Sequence, residues 1–226
     1  MQNVKSFNMA RGKSDSPTPR ELKNPFRRHS VLSVDQLRQY CIIKRIGRGS
    51  FGAVYKAKEK GIAVALKLVN LREASRDEFF LECQMTKIFS ELKAGPNYVK
   101  SWSIPSKKVG VIVTELWDTN LGKFMDNSGR KSVPKLVLDK IQTQLDQIHA
   151  NGISHFDLHA DNILLRLAED GKVCDATLTD FGHAKHTEAL EPKELEDIIG
   201  NFELPRTTAA ADVDQLQFNQ IKREWK

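Results

Sequence analysis

The stretch His155-Phe156-Asp157-Leu158-His159-Ala160-Asp161-Asn162 packs two histidines, two aspartates and an asparagine into eight residues. A purely structural segment beside an apolar strand would have no use for so many polar groups, because each costs free energy when buried without a partner. Asp157 is free to accept a hydrogen bond from an incoming hydroxyl. Asn162 lies five residues further on, and Asp180-Phe181-Gly182 follows after a short hairpin. An Asn and an Asp together offer hard oxygens for Mg²⁺, which takes waters and substrate phosphates as its other ligands. A zinc site from His155, His159 and Asp157 is the weaker alternative, since zinc sites usually carry closer-matched ligand pairs.

Two further groups of residues suit a phosphate. Gly47-x-Gly49-x-x-Gly52 is shared with dinucleotide-binding folds, in which the third glycine opens a helix. Here Gly52 leads instead into alternating apolar and polar residues, Val54 and Lys56 among them, as a strand requires. The glycines then form a β-hairpin turn whose amides approach phosphate oxygens with no Cβ in the way. Lys67 closes the strand-like run Val64-Ala65-Leu66-Lys67. A lysine at such a place commonly just reaches water; a carboxylate partner would turn it into a fixed point charge for phosphate. Glu82, within Phe80-Leu81-Glu82-Cys83, is the preferred partner because of its apolar neighbours, and Glu78 competes with it.

The elements that must hold these residues follow from periodicity. Strands are expected near Cys41-Ile42-Ile43, Ala53 to Ala57, Ile62 to Val69 and Val109 to Leu116, with a helix from Asp77 to about Leu92. A longer helix lies between Ser132 and Ala150, with Ser132 as cap, Pro134 in its first turn, Leu138, Ile141, Leu145 and Ile148 on one face, and Asn151-Gly152 as its stop. Ile163-Leu164-Leu165 and a segment ending at Thr179-Asp180 read as short strands, and Ala211 to Leu216 as the opening of a further helix. Strands dominate early and helices late. The fold class is therefore α+β with two lobes meeting near Leu116, a β-rich N-lobe of about 36–115 and a helical, truncated C-lobe of about 116–226.

Residues 1–35 are polar and turn-rich, too poor in apolar groups to offset the entropy of ordering, and are expected to be a disordered basic tail. Residues 1–39 hold eight Lys/Arg against three acids, so most of the net charge of +6 belongs there and not to a folded face. That pattern argues against a nucleic-acid-binding domain and leaves a partner for the tail open. No run reaches the ~18 apolar residues of a membrane span. The N-terminus has no apolar signal region. Cys41, Cys83 and Cys174 are widely spaced and read as reduced, mostly structural thiols. The expected setting is intracellular, cytoplasmic or nuclear.

Taken together, Gly47/Gly49/Gly52/Val54, Val64-Ala65-Leu66-Lys67, His155-x-Asp157-x-x-x-x-Asn162 and Asp180-Phe181-Gly182 resemble the eukaryotic protein-kinase family over residues of about 40–185. The resemblance implies ATP and Mg²⁺ as cofactors and serine or threonine hydroxyls of protein substrates as acceptors. It implies a loop Ile46-Gly47-Arg48-Gly49-Ser50-Phe51-Gly52 over the nucleotide, Lys67 on its α- and β-phosphates, and Glu82 holding Lys67. Asp157 would be the base, and Asn162 and Asp180 the metal ligands. Val54, Ala65 and Leu164 would sandwich adenine, at a hinge of Glu115-Leu116-Trp117 behind Thr114.

The chain also departs from that pattern. Phe156 replaces the arginine that reads an activation-loop phosphate, so no such phosphorylation is expected to be needed. His159 stands where serine/threonine kinases carry lysine, and would donate to the γ-phosphate with a charge that depends on pH. No Ala-Pro-Glu follows Asp180-Phe181-Gly182; Leu204-Pro205-Arg206 is a loose echo. These departures keep a pseudokinase binding module and a small-molecule phosphotransferase open as alternatives. Arg27-Arg28-His29-Ser30-Val31 resembles a site for basic-directed kinases, with Ser30 as acceptor, and the compact core resembles viral or parasite-type kinases, which would place it in a host cell.

Overall fold

The computed structural model describes residues 35–49, 52–201 and 208–225. The expected tail up to residue 34, Ser30 within it, Ser50, Phe51 and the Leu204-Pro205-Arg206 echo lie outside the described residues.

A short helix α1 (Asp35–Arg38) leads into five strands: β1 (Tyr40–Gly49), β2 (Gly52–Glu59), β3 (Ile62–Asn70), β4 (Tyr98–Ile104) and β5 (Val109–Glu115). They form one antiparallel sheet in the order β1-β2-β3-β5-β4. Strand alternation gives this sheet two different faces. Tyr55, Leu66, Leu68, Val111 and Val113 share one face and build a buried cluster. The sheet curls around it until Tyr40 of edge strand β1 stacks on Trp102 of edge strand β4, with ring centroids 6.1 Å apart. The other face carries Val54, Ala65, Lys67, Ile112 and Thr114 in cross-strand register.

Helix α2 (Arg76–Glu91) docks on that second face. Ser75 caps it, and Glu78 returns the bond to the Ser75 amide, completing a capping box. Phe79, one residue on, lies so close to Gly110 of β5 that a Cβ there would fall 2.4 Å from its ring. The glycine is what lets the helix approach.

The second half is helical. It contains β6 (Thr119–Asn120), α3 (Leu121–Ser128), α4 (Lys135–Ala150), β7 (Ile153–Ser154), β8 (Ile163–Leu167), β9 (Val173–Leu178), β10 (Lys185–His186), α5 (Pro192–Asn201) and α6 (Ala210–Glu224). Val137, Ile141, Leu145 and Ile148 of α4 are fully buried, against Leu121, Leu165 and Phe218 among others. The structure is thus a two-lobed α+β fold, as the sequence implied.

Several expectations need correction. Ser132 does not cap α4: Pro134 takes the cap position and no side chain bonds the first turn there. Gly152, at φ +65°, does supply the left-handed stop. Strand β4 and helices α3 and α5 were not foreseen. Cys41 and Cys174 are exposed and so are not structural thiols, whereas burial pushes the Cys83 thiol up to about 11. Among the described residues no helix is long and apolar enough to cross a membrane.

Candidate active site

Strand β3 presents Lys67 on the α2-facing side of the sheet, opposite Val54 on β2 and Ile112 on β5. Docking of Phe79 places Glu82, one helical turn on, over this lysine. Lys67 Nζ donates to Glu82 Oε1 at 2.5 Å and to Asp180 Oδ1 at 2.8 Å. Burial works against the ammonium, but the Asp180 and Glu82 carboxylates outweigh it and raise Lys67 above the usual lysine range. Asp180 is held below the usual carboxylate range; its burial opposes this, and Lys67 overcomes it. Glu82 is therefore the partner, and Glu78 is spent on the helix cap.

Asp180 itself is positioned by its neighbour. Phe181 stacks on Phe89 of α2 with centroids 4.0 Å apart and meets His155 edge-on. A Cβ on Gly95 would lie 2.8 Å from the Phe181 ring, so that glycine makes room for the stack. Asp180 adopts φ +63°, a left-handed conformation uncommon outside glycine and worth a structural cause. Anchorage of Phe181 and the Lys67 ion pair, on either side of that peptide, supply it.

The segment that bears Asp157 is held from behind. His155 is fully buried, and its Nε2 lies 2.9 Å from the Thr179 carbonyl. Asp214 of α6, 0 % exposed, accepts from the amides of His155 (2.7 Å) and Phe156 (2.8 Å) and also meets His149 Nε2 of α4 at 2.9 Å. Gln217, one turn later, accepts from the Leu158 amide at 2.9 Å. These bonds hold Phe156 at φ +63° and leave the Asp157 side chain facing the cleft. Asn162 Nδ2 donates to the Asp157 carbonyl (2.9 Å) and to Asp157 Oδ2 (3.1 Å), which leaves its carbonyl oxygen available to a cation.

Two imidazoles flank the aspartate. His159 Nε2 is 3.8 Å and His183 Nδ1 3.6 Å from Asp157 Oδ2. These are ion-pair distances, longer than hydrogen bonds. Burial alone would raise the Asp157 carboxyl; the two rings outweigh it and keep it well below the usual range. The carboxylate in turn raises both histidines. The zinc alternative does not fit: His155 is committed to Thr179, and no cluster of three metal-ligating side chains occurs among the described residues.

The glycine hairpin separates into two kinds of glycine. A Cβ on Gly52 would sit 2.0 Å from the Leu68 carbonyl oxygen, so the sheet itself demands that glycine. Among the described residues, a Cβ on Gly47 would meet only ordinary contacts with Val54, and one on Gly49 nothing within 4 Å. Neither has positive φ. The fold gives no reason for these two, and backbone left bare toward a cleft is what an approaching phosphate needs. Ile46 is the unpaired residue of a bulge between Arg45 and Gly47, and Lys123 of α3 donates to its carbonyl at 2.9 Å. Arg48 is exposed.

Around the connection between lobes, Val54, Ala65, Thr114, Leu116 and Leu164 are all half-buried. Behind it, Arg166 of β8 pairs with Glu115 and lies over the Trp117 ring at 4.6 Å, while Asn97 Nδ2 donates to Glu115 Oε2 at 3.1 Å. The Glu115 side chain is therefore committed to Arg166 and Asn97.

A strand-built lobe carrying a glycine hairpin thus meets, through the Lys67–Asp180 ion pair, a helical lobe whose buried Asp214 tethers the Asp157–Asn162 segment. The chain matches the protein kinase domain family over residues 40–203 and belongs to it. It is similar to cytokinesis protein sepH of Aspergillus terreus, 28% identical over 218 residues, 89% of this chain and 15% of that protein. R831 of Acanthamoeba polyphaga mimivirus, named as a serine/threonine-protein kinase/receptor, is 33% identical over 169 residues, 70% of this chain and 10% of that protein. Cyclin-dependent kinase B2-1 of Arabidopsis thaliana is 28% identical over 169 residues, 69% of this chain and 53% of that protein. The chain thus spans from a tenth to about half the length of these relatives.

Nucleotide and divalent metal, which the family uses, fit the residues present. The bare backbone at Gly47 and Gly49 suits phosphate, Lys67 is a fixed cation, and the Asn162 and Asp180 oxygens are the hard donors magnesium prefers. Signals for Asp214, Gln217, His183 and Arg166 were absent from the motifs, because each acts through a partner distant in the chain or outside any pattern.

Proposed function

We propose that this chain is an ATP- and Mg²⁺-dependent protein kinase that phosphorylates serine or threonine hydroxyls. The observation that carries the reading is the convergence of Lys67, Glu82, Asp180, Asn162 and Asp157 on one cleft. Bound Mg²⁺·ATP would supply the transferable phosphoryl group and neutralise its charge. In this proposal Lys67, held by Glu82, grips the α- and β-phosphates, while Asn162 and Asp180 hold the metal. Ile46 to Gly52 cover the nucleotide, and Val54, Ala65 and Leu164 enclose adenine against the backbone of Glu115, Leu116 and Trp117.

Asp157 accepts the hydrogen bond of the acceptor hydroxyl. Its depressed pKa makes it a weak base, so its main work is to orient the nucleophile and take the proton late, once charge has left the oxygen. His159, when protonated, places a cation 3.8 Å from that carboxylate and would donate to the γ-phosphate. Radiolabel transfer from ATP with and without Mg²⁺ tests the reading. Asp157→Asn and Lys67→Met should each lose activity by about 100-fold or more while melting like wild type, the scale of losing a positioned acid–base or charge-stabilising group. Full activity in either variant refutes it.

A further inference from the structure

After Gly182 the chain returns along the catalytic segment. Strand β10 pairs antiparallel with β7, Lys185 opposite Ser154 and His186 opposite Ile153. The Thr187 amide extends the tie to the Gly152 carbonyl at 2.8 Å. The chain then turns into α5, which lies across a cavity of about 270 Å³ from Asp157. Phe156 and Ile198 form its apolar part; Asp157, His183, Lys185, Glu194 and Asp197 complete the lining. Any acceptor that brings a hydroxyl to Asp157 must meet the wall that α5 provides.

Among the described residues of α5 Ile199 is buried and Leu195 and Ile198 are half-buried. Glu194, in the first turn, does two things at once: Oε2 accepts from the Glu191 amide at 3.1 Å, closing the helix start, and Oε1 receives Lys185 Nζ at 2.6 Å. Lys185 is fixed by strand register immediately beside the segment that bears Asp157. That ion pair links the helix to β10, which runs beside the segment that bears Asp157. Among the described residues lining the cavity, Lys185 is the only lysine or arginine, and Phe156 has no charge with which to hold an anion. The carboxylate of Glu194 occupies the cation that an added phosphate would otherwise need.

We propose that the Lys185–Glu194 ion pair is a latch that positions α5 as the acceptor-side wall of the active site, and that it does so without phosphorylation; this rests on the kinase reading above. Glu194→Gln keeps an oxygen for the Glu191 amide but removes the charge, and Lys185→Met removes the cation. With myelin basic protein as the acceptor probe, each variant should raise the acceptor KM about two- to fivefold, the span commanded by a half-exposed ion pair. The KM for ATP should hold, and Lys185→Arg should behave as wild type. Amide exchange over residues 187–201 should quicken in Glu194→Gln and Lys185→Met but not in Lys185→Arg. Phosphatase treatment of wild type should change neither reading.

Unchanged exchange and unchanged acceptor KM in both charge-removing variants overturn the latch, as does loss of α5 protection after phosphatase. If wild type transfers no phosphate at all, the proposed function fails and amide exchange alone decides the latch.

Discussion

The two lobes position their chemistry by opposite means. In the strand-built lobe, Lys67 is aimed by register alone: it shares a face with Ala65, Val54 and Ile112 because antiparallel neighbours must. In the helical lobe, Asp157 sits on a segment with almost no regular structure of its own, between the two-residue strand β7 and a single 3₁₀ turn at Ala160–Asn162. Its geometry is imposed by α6, whose Asp214 and Gln217 reach back to backbone amides almost sixty residues earlier. A strand sets side-chain direction locally and cheaply. A loop at φ +63° must be over-determined by its surroundings to persist.

Removing those surroundings is the most severe way to break the comparison. Asp214→Ala strands the buried amides of His155 and Phe156 and the ring of His149 in one step. A loss of roughly 3–5 kcal/mol is expected, the cost of breaking a buried charged network. Chemical denaturation measures it, and phosphotransfer should fall more than the folded fraction does, because Asp157 loses its aim. A variant that unfolds normally and keeps its kcat would show that the catalytic segment holds its own shape.

In the strand-built lobe the corresponding lesion is Gly52→Ala. Its Cβ would lie 2.0 Å from the Leu68 carbonyl oxygen, so β2 and β3 must separate locally. About 1–3 kcal/mol of destabilisation is expected, the usual scale of overpacking. By contrast Gly49→Ala meets no atom of the described residues within 4 Å and should leave the melting temperature within a degree or so, consistent with the small effect of surface changes. Its cost should appear in the KM for ATP. If Gly49→Ala destabilises as much as Gly52→Ala, the distinction between a packing glycine and a ligand-facing glycine is wrong.

Legibility in the sequence follows the same division. Strand periodicity and the glycine spacing were enough to place Lys67, and the apolar neighbours of Glu82 were enough to prefer it over Glu78. The Asp–Asn–Asp set was readable from its density of polar groups. Asp214 was not, because a single aspartate inside Ala211-Asp212-Val213-Asp214-Gln215-Leu216 carries no signal that it is buried while Asp212 is exposed. Ser132 misled for a related reason: a good capping residue is a local preference, and Pro134 nearer the helix start decided the geometry. Helix α5 escaped notice because Pro192–Asn201 is short, four of its ten residues are charged, and its apolar stripe is only Leu195, Ile198 and Ile199.

The smallest effect concerns the imidazoles beside Asp157, where the two lobes' electrostatics meet. His159 and His183 have folded pKa values raised by the carboxylate, so their contribution to stability is complete below the unfolded histidine value near 6.5 and is lost as pH rises through the folded values. Asp157 is depressed, so its share is present above the unfolded aspartate value near 3.9 and is lost as pH falls toward its folded value. Both conditions hold together between about pH 4 and 6.5. The histidine side chains are 51% and 68% exposed, so water screens the pairs and each is worth no more than about 1 kcal/mol. Comparing melting temperatures of wild type and His159→Ala/His183→Ala at pH 5.5 and pH 9 checks this. The variant should melt lower at pH 5.5 and converge with wild type at pH 9; a constant offset at both would mean that the rings act through packing and not through charge.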